Sequence, residues 1–187
     1  SSGSTGWTIA QYLHRMGHRV ICIAGKTSVA PEFPLPDVRR GGSPNEMLTV
    51  SLEVASSDPK PDAWIYSAAV LDYFTEPLSG KKPSGDKSWE ISLTEGPKHI
   101  SEIAPFVSGA RRIGFKLETG VSVEVLIDRA RQQIERYGID AVVANLKEEV
   151  HDQDSPRGRI VLPDGTVEVM HDSADLCEAV ESLLHGS

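Results

Sequence analysis

The small residues at the start of the chain could hold an anion. Residues 1–6 read Ser-Ser-Gly-Ser-Thr-Gly and run directly into a segment with helical spacing. A helix that begins in this way presents backbone N–H groups and the positive end of its dipole, and both attract phosphate. The pattern predicts a phosphate site that includes Ser1, Ser2, Gly3 and Gly6. It is a weak pattern on its own, because Ser/Gly-rich N-termini are also common as tags and frayed ends.

A second group of polar residues follows an apolar run in the first half of the chain. Asp72 ends this run and could hold Mg2+ or a polar ligand group, and the small residues Ala68 and Ala69 would let a ligand approach the backbone. On the loop that follows, Lys81 and Lys82 could act as mobile positive charges over a polyphosphate. Taken singly, such residues are more often a solvated aspartate and a lysine-rich surface loop.

Asn145 follows four apolar residues at the end of a predicted strand. Its amide can donate a hydrogen bond to a carboxylate or a developing oxyanion and accept another elsewhere. Asparagine is also a common turn residue, and spacing alone does not separate the two roles. The six histidines show no metal-ligand spacing, and the chain has no G-x-S-x-G elbow, Cys-x-x-Cys pair or Walker lysine. Zinc-enzyme and hydrolase hypotheses therefore have no support.

Short apolar runs alternate with segments of helical spacing along most of the chain. This order is typical of a parallel sheet with crossover helices. We predict an α/β protein with a Rossmann-like three-layer fold, a mainly parallel sheet, and a C-terminal β-hairpin and helix. The predicted strands are residues 20–24, 62–70, 112–115, 140–144, 159–162 and 167–170. The predicted helices are residues 5–16, 45–56, 100–107, 123–137 and 173–184.

Two stretches, residues 27–44 and 73–87, have neither the apolar spacing of a helix nor that of a strand. They are predicted to be loops without regular structure. In an open α/β sheet, a ligand binds beyond the carboxyl ends of the strands. Residues 72–87, 116–119 and 145–149 all follow such ends. We therefore expect these three segments to converge on one site.

Composition limits the class of protein. The chain has 187 residues, of which 39% are apolar and 25% charged, as in an ordinary soluble globular domain. Its net charge of −8 argues against a nucleic-acid-binding protein. No stretch reaches the roughly 18 apolar residues needed to span a bilayer, so we expect a cytoplasmic protein without a membrane partner. Cys22 and Cys177 lie in separate apolar segments and are expected to be buried thiols.

Four segments, in this order, resemble the phosphopantothenate-cysteine ligase family of coenzyme A biosynthesis. Residues 1–6 look like its S-S-G-x-x-G loop, and residues 67–73, Ser-Ala-Ala-Val-Leu-Asp-Tyr, look like its S-A-A-V-x-D-[YF] segment. Gly-Phe-Lys-Leu-Glu-Thr at 114–119 and Val-Val-Ala-Asn at 142–145 look like its G-F-x-x-E-T and V-A-N segments. The likeness predicts one ligase-like domain over residues 1–187, without the strand and turn that precede the loop in the family.

The resemblance implies a ligase that joins 4'-phosphopantothenate to cysteine at the expense of ATP or CTP, with Mg2+, in a homodimer. The substrate carboxylate would attack the α-phosphate and release pyrophosphate, and the cysteine amine would then displace the nucleotide from the acyl-nucleotidylate. The family's nucleotide-binding positions correspond to Ser1, Ser2, Gly3, Gly6, Ala68, Ala69, Asp72 and Phe115, and its catalytic positions to Asn145, Lys81 and Lys82. The choice between ATP and CTP and the residue that binds Mg2+ stay open.

The dimer also has a physical argument of its own. The predicted hairpin over residues 159–170 carries apolar residues in both strands. A two-stranded ribbon is marginal in water unless it packs on something, and two-fold pairing is the commonest arrangement of soluble homo-oligomers. We therefore expect the hairpin to join a subunit interface.

Two other functional classes stay open. A glycine-rich turn into a helix is also how NAD(P)-dependent Rossmann oxidoreductases bind pyrophosphate. Against that class, Gly-Lys-Thr at 25–27 stands where an acidic residue would hold a ribose, and the chain has no Tyr-x-x-x-Lys pair. The third class is a non-catalytic nucleotide-binding relative. Release of pyrophosphate from phosphopantothenate, cysteine and a nucleotide would distinguish the ligase from both.

Overall fold

The computed structural model describes residues 3–25, 29–75, 91–152 and 154–185. Within these ranges the α-helices are α1 (Ser4–Arg15), α2 (Pro44–Ala55), α3 (His99–Ile103), α4 (Val123–Tyr137) and α5 (Ser173–His185). The strands are β1 (Ile21–Ala24), β2 (Asp37–Arg40), β3 (Ala63–Tyr66), β4 (Tyr73–Phe74), β5 (Thr94–Glu95), β6 (Arg111–Glu118), β7 (Ala141–Leu146), β8 (Gly158–Val161) and β9 (Val167–Met170). Short 3-10 helices follow α3 (Ala104–Phe106) and β7 (Lys147–His151).

The central sheet has the strand order β3-β6-β7-β8-β9. Strands β3, β6 and β7 run parallel to one another, and β8 and β9 are added as an antiparallel hairpin. Strand β1 pairs in parallel with β2 in a separate two-stranded sheet, and β4 pairs with β5 in a short antiparallel ribbon. The predicted Rossmann-like α/β fold, with a mainly parallel sheet and a C-terminal hairpin and helix, is confirmed.

Alternation along β7 divides the core into two layers. Ala141 and Val143 pack on one face of the sheet with residues of α1 and α5. Val142 and Ala144 pack on the opposite face with residues of α4. All four side chains are 0% exposed. Because successive side chains of a strand point to opposite faces, this single strand fixes which residues face each helical layer.

The helix ends follow from local sequence. Ser43 and Glu46 form a reciprocal capping box at the start of α2, with Pro44 in the first turn. Helix α4 ends at Gly138, whose φ of 58° is a left-handed conformation that favours glycine. Helix α3 is shorter than the predicted helix over 100–107, since Pro105 lies within the 3-10 turn that follows it.

Part of the predicted loop over residues 27–44 is a strand, so that prediction was wrong for β2. The strand reads Asp-Val-Arg-Arg and lacks the apolar alternation by which strands are recognised. Among the described strands it pairs only with β1, and it is half exposed, as charged edge strands often are. Gly41 follows it, and a Cβ there would lie 2.5 Å from the Cα of Met47. Glycine therefore allows the turn to contact α2.

The second predicted strand, residues 62–70, is shorter in the structure and ends at Tyr66. The small residues Ala68 and Ala69 that extend the apolar run are exposed and irregular. The predicted loop over 73–87 begins with the two residues of β4, which pair with β5. The rest of that loop, residues 76–87, lies outside the described residues.

The C-terminal hairpin is covered largely within the chain. Strand β8 pairs with β7, and its Ile160 and Val161 pack into the two opposite core layers. The hairpin is therefore not an isolated two-stranded ribbon, because it extends the central sheet. Strand β9 remains at the sheet edge, where Val169 is 44% exposed.

Both cysteines are free, as predicted. Burial raises the pKa of the Cys22 thiol to about 11 and that of the Cys177 thiol to about 11, so neither is a thiolate nucleophile at neutral pH. In the part of the chain that the structure describes, no helix combines the length and apolar character needed to cross a bilayer.

A buried ion pair connects β8 to the 3-10 helix after β7. Arg159 donates two hydrogen bonds to the Glu149 carboxylate, at 2.7 and 2.8 Å, and is 6% exposed. These bonds and the Arg159 charge outweigh burial and lower the pKa of Glu149. We expect Arg159→Met to reduce the free energy of unfolding by about 3 kcal/mol, because it leaves the Glu149 charge without its partner.

Urea denaturation at neutral pH measures this loss. Arg39→Met is the matched control, since Arg39 pairs with Asp37 in an exposed position and its loss should cost at most about 1 kcal/mol. Because the folded-state pKa of Glu149 is lowered, the contribution of its pair is present above the ordinary pKa and is lost as pH falls through the lowered value. An equal loss of unfolding free energy in Arg159→Met and Arg39→Met would show that the Arg159–Glu149 pair does not stabilise the fold as a buried ion pair.

Candidate active site

A cavity of about 1210 Å³ is lined by both β1 and β3. Among the described residues, β1 pairs only with β2 and β3 only with β6, so neither strand pairs across the cavity. The first turn of α1 and residues Phe115, Lys116 and Glu118 of β6 also line it. The lining runs along the whole of β1 and β3, from Arg19 and Asp62 before the strands to Gly25 and Ser67 after them. The carboxyl ends of these strands are where α/β proteins bind ligands.

The start of α1 lies at the cavity wall. Gly3 is the N-cap, with a left-handed φ of 79°, and has no side chain to cap the helix. Gly3 and Gly6 both line the cavity, so the positive end of the helix dipole faces it. A Cβ on Gly6 would lie 2.7 Å from the Ser67 Oγ. Glycine thus lets the first turn of α1 contact the end of β3; Ser1 and Ser2 lie outside the described residues.

The segment after β3 contributes a carboxylate to the rim. Ala68 and Asp72 line the cavity, whereas Ala69 is exposed beside it. The Asp72 carboxylate accepts a hydrogen bond from the Lys98 ammonium at 2.5 Å. This bond raises the pKa of Lys98. Lys98 itself lines the cavity and was not predicted, because nothing in its local sequence shows that the chain returns to Asp72.

The end of β6 forms a charged wall. Glu118 lies 3.1 Å from the Lys116 ammonium and 2.5 Å from the Arg129 guanidinium. Burial acts to raise the pKa of Glu118, but the hydrogen bonds and charges of these two cations outweigh it and hold the pKa below its ordinary value. Glu118 is therefore an ionised acceptor at neutral pH. Phe115 is half-buried and packs on the opposite face of the sheet, with the core residues of α1 and α5.

Asn145 lies on the α1 side of the sheet, behind the cavity lining. Its Nδ2 donates to the backbone carbonyl of Arg157 at 2.5 Å. The Arg157 guanidinium in turn donates to the Thr5 Oγ1 at 2.7 Å and reaches the Ser173 Oγ at 3.4 Å. Arg157 thus connects Asn145 to the first turn of α1. Sequence reasoning did not find Arg157, which follows an irregular segment and has no motif around it.

The ends of β6 and β7 meet, as expected from their positions in the sequence. The Thr119 hydroxyl donates to Glu148 Oε1 at 2.6 Å, and the Gly120 N–H donates to the same oxygen at 2.9 Å. These bonds, that of Thr119 above all, lower the pKa of Glu148. Residues 116–119 and 145–149 therefore form one cluster. Lys81 and Lys82 lie outside the described residues.

Contacts link the four sequence segments, in one case through Arg157. Gly6 packs against Ser67, the Asn145 amide reaches Thr5 through Arg157, and Leu117 stands opposite Asn145 in the β6–β7 register. Residues of the first three segments line the cavity, whose wall also has the carboxylates of Asp62, Asp72 and Glu118 and several cations. Such an arrangement suits a phosphorylated ligand.

The fold and this site define an α/β domain of the Rossmann-like class with an anion-attracting helix N-terminus at the carboxyl edge of its sheet. Within that class, the chain belongs to the DNA/pantothenate metabolism flavoprotein C-terminal domain family, whose model matches residues 1–180. The resemblance inferred from the four segments is confirmed.

Two curated relatives are archaeal coenzyme A biosynthesis bifunctional proteins, CoaBC. That of Thermococcus kodakarensis is 36% identical over 145 residues, covering 78% of this chain and 35% of the relative. That of Methanocaldococcus jannaschii is 28% identical over 145 residues, covering 78% of this chain and 34% of the relative. The chain thus spans about a third of the length of these relatives.

Solved structures share the fold. The DNA/pantothenate metabolism flavoprotein from Streptococcus pneumoniae superposes with a TM-score of 0.86 at 22% identity, covering 99% of this chain and 88% of the other. The C-terminal domain of CoaBC has a TM-score of 0.73 at 20% identity, with coverages of 100% and 85%. A Cab2 mutant in complex with phosphopantothenate-cysteine has a TM-score of 0.70 at 16% identity, with coverages of 99% and 77%.

Gly158 allows Asn145 to take its position. A Cβ on Gly158 would lie 2.6 Å from Asn145 Nδ2 and 3.3 Å from its Cγ. We expect Gly158→Ala to displace the amide from the Arg157 carbonyl and to reduce the free energy of unfolding by about 1–3 kcal/mol. Urea denaturation measures the loss, and the side-chain amide resonances of Asn145 should shift.

The matched control for this substitution is Gly109→Ala. A Cβ on Gly109 meets no atom within 4 Å, so its replacement should change the free energy of unfolding by at most about 0.5 kcal/mol. An Asn145 amide resonance that is the same in Gly158→Ala as in the unchanged chain would contradict the proposed crowding.

Proposed function

We propose that this chain joins 4'-phosphopantothenate to cysteine at the expense of ATP or CTP, giving 4'-phosphopantothenoylcysteine for coenzyme A biosynthesis. The contact network that brings Gly6, Ser67, Thr5, Arg157 and Asn145 together carries this proposal. Family membership and the names of the CoaBC relatives support it. In this proposal residues 1–187 act as one ligase-like domain, and an NAD(P)-dependent oxidoreductase is not favoured.

The first chemical task is to activate a carboxylate. A carboxylate resists attack by an amine because its negative charge repels the nucleophile and oxide is a poor leaving group. Attack of the carboxylate oxygen on the α-phosphate breaks the bond to the β-phosphate, forms an acyl-nucleotidylate and releases pyrophosphate. The amine of cysteine then attacks the acyl carbon, loses a proton, and the nucleoside monophosphate leaves.

The N-terminus of α1 would hold the triphosphate. Gly3 and Gly6 present backbone and no side chain to the cavity, so phosphate oxygens can approach the helix end. The predicted contacts Ser1, Ser2 and Ala69 would extend this cradle, and Ala68 and Phe115 would border the rest of the nucleotide. Lys98 and Arg129 line the same cavity and add positive charge near the departing pyrophosphate.

The rim also fits a divalent cation. Mg2+ prefers oxygen ligands and is commonly held by one or two carboxylates together with substrate phosphates. The Asp72 carboxylate, 64% exposed at the rim, is of this type, and Lys98 would yield or share it. When bound, Mg2+ neutralises charge on the phosphates. Lys81 and Lys82 are proposed to add to that neutralisation from the loop after Asp72.

Asn145 is proposed to hold the substrate carboxylate and then the acyl oxygen. One amide hydrogen bonds the Arg157 carbonyl, which fixes the orientation of the side chain and leaves the second hydrogen for substrate. Since Asn145 lies behind the cavity lining, the carboxylate has to reach it past the first turn of α1. The neighbouring Thr5 and Arg157 would form that passage.

One assay decides the activity. The chain is incubated with 4'-phosphopantothenate, cysteine and Mg2+, and with ATP or CTP in separate reactions. We expect pyrophosphate and nucleoside monophosphate in equal amounts, with one molecule of 4'-phosphopantothenoylcysteine for each. A folded chain that releases no pyrophosphate with either nucleotide would refute the ligase and leave a non-catalytic relative, and hydride transfer from NAD(P)H would identify the oxidoreductase.

Asn145→Asp tests the catalytic role. The substitution places a negative charge against the substrate carboxylate and removes a preorganised donor, so kcat/KM should fall by at least about 30-fold, equivalent to about 2 kcal/mol. Asn45→Asp is the matched control, because Asn45 is exposed in the first turn of α2. Unchanged turnover in a folded Asn145→Asp variant would remove Asn145 from the site.

We also propose that the chain forms a homodimer through the edge strand β9. Val169 is 44% exposed on this strand, which pairs only with β8 among the described strands. Light scattering over a concentration series should show a dimer, and Val169→Lys should shift it toward monomer. Val125→Lys on α4, at a similarly exposed valine, is the control. A monomer at every concentration would refute the dimer.

A cytoplasmic location belongs to the same functional proposal. The free thiols of Cys22 and Cys177 are compatible with a reducing compartment. Fractionation of cells that produce the protein, with activity and antibody detection together, tests the location independently of the reaction.

A further inference from the structure

A cluster of potential metal ligands lies at the end of α1 remote from the proposed phosphate site. His18, Glu181 and His185 place their ligand atoms within 4.8 Å of one another. His18 Nε2 lies 3.3 Å from Glu181 Oε1, and His185 Nε2 lies 3.8 Å from the same oxygen. His18 and Glu181 are 163 residues apart in sequence, so the folded chain alone brings them together. Sequence spacing therefore did not show the cluster.

Rigid elements hold the three side chains. His18 follows the turn at Gly17 that ends α1, and its backbone N–H bonds the Leu13 carbonyl at 3.0 Å. Glu181 and His185 are four residues apart on α5 and therefore share one face of that helix. Helices α1 and α5 pack together in the core through residues such as Leu13 and Val180.

A hydrogen bond from Tyr12 also orients the Glu181 carboxylate. The Tyr12 hydroxyl donates to Glu181 Oε2 at 3.1 Å, while Oε1 faces the two imidazoles. The side chains of Glu181 and His18 are 16% and 29% exposed, whereas that of His185 is 67% exposed. The cluster is thus anchored on the protein side and accessible from solvent through His185.

Two imidazole nitrogens and one carboxylate oxygen form a ligand set that favours zinc and similar first-row divalent ions over Mg2+. Around a tetrahedral ion with bonds near 2 Å, ligand atoms lie roughly 3.3 Å apart. The Glu181 oxygen lies 3.3 and 3.8 Å from the two imidazole nitrogens, and all three ligand atoms lie within 4.8 Å of one another, so rotation of the side chains would complete that geometry. We propose that His18, Glu181 and His185 bind one Zn2+ ion, with Tyr12 as a positioning residue.

His18 and His185 line the same cavity as the proposed ligase residues, but at the other end of α1. The cluster lies beyond the C-terminus of α1, and the phosphate-binding residues lie at its N-terminus. The 12 residues of the helix separate the two ends by about 18 Å. The ion would connect the end of α1 to α5 and would stabilise the fold, because it binds the folded state and not the separated ligands of the unfolded chain.

Metal titration of the untagged full chain tests the proposal. We expect one equivalent of Zn2+ to bind and to raise Tm, and one equivalent of Co2+ to give visible d–d bands without a thiolate charge-transfer band. His18→Ala and His185→Ala should each abolish this binding, and Tyr12→Phe should weaken it about tenfold. His171→Ala, at an exposed histidine outside the cluster, should bind as the unchanged chain does.

Circular dichroism of each variant establishes that it is folded. The absence of saturable one-equivalent binding would refute the site and leave an imidazole–carboxylate pair. Retained binding in folded His18→Ala and His185→Ala, or a thiolate band with Co2+, would also refute it by placing the ion elsewhere. Because the readouts are metal binding and Tm, they are independent of ligase activity.

Discussion

The register of β7 is the constraint on which the site depends. With Ala141 and Val143 turned toward α1 and α5, and Val142 and Ala144 turned toward α4, Asn145 must project on the α1 side. A slip of one residue would bury polar atoms against α4 and move the amide away from Arg157. Packing in the two core layers therefore sets the direction of the one amide that can reach the start of α1.

The site also depends on two glycines that let neighbouring segments pack closely. Gly6 brings α1 against Ser67, and Gly158 brings β8 against Asn145. In both places a polar side chain occupies the space where a Cβ would be. The neighbouring segments therefore pack closely through a polar contact. The ion pair of Arg159 and Glu149 then fixes the segment that leaves β7. Site geometry is thus determined by contacts that also stabilise the fold.

Local periodicity and capping predicted the alternation of elements and most helix ends, although α3 ends before the predicted Val107. The sequence also revealed the four segments, through their resemblance to the motifs of a known family. It did not predict β2, whose charged residues lack an apolar pattern, or the pairing of β4 with β5, which depends on two residues in each strand. Lys98 and Arg157 were also missed. Each of them contacts residues that are distant in the sequence, and such long-range contacts leave no local sequence pattern.

The separation of β1 from β3 has a consequence for local stability. Strand β7 has hydrogen-bonded neighbours on both sides, and its first four side chains are completely buried, so the amide protons of these residues should exchange only through global unfolding. Strands β1 and β3 each have a neighbour on one side among the described strands, and their other edges border the cavity. Sub-global opening should therefore begin at these edges. A ligand in the cavity would contact both strands and would therefore stabilise their edges against local opening.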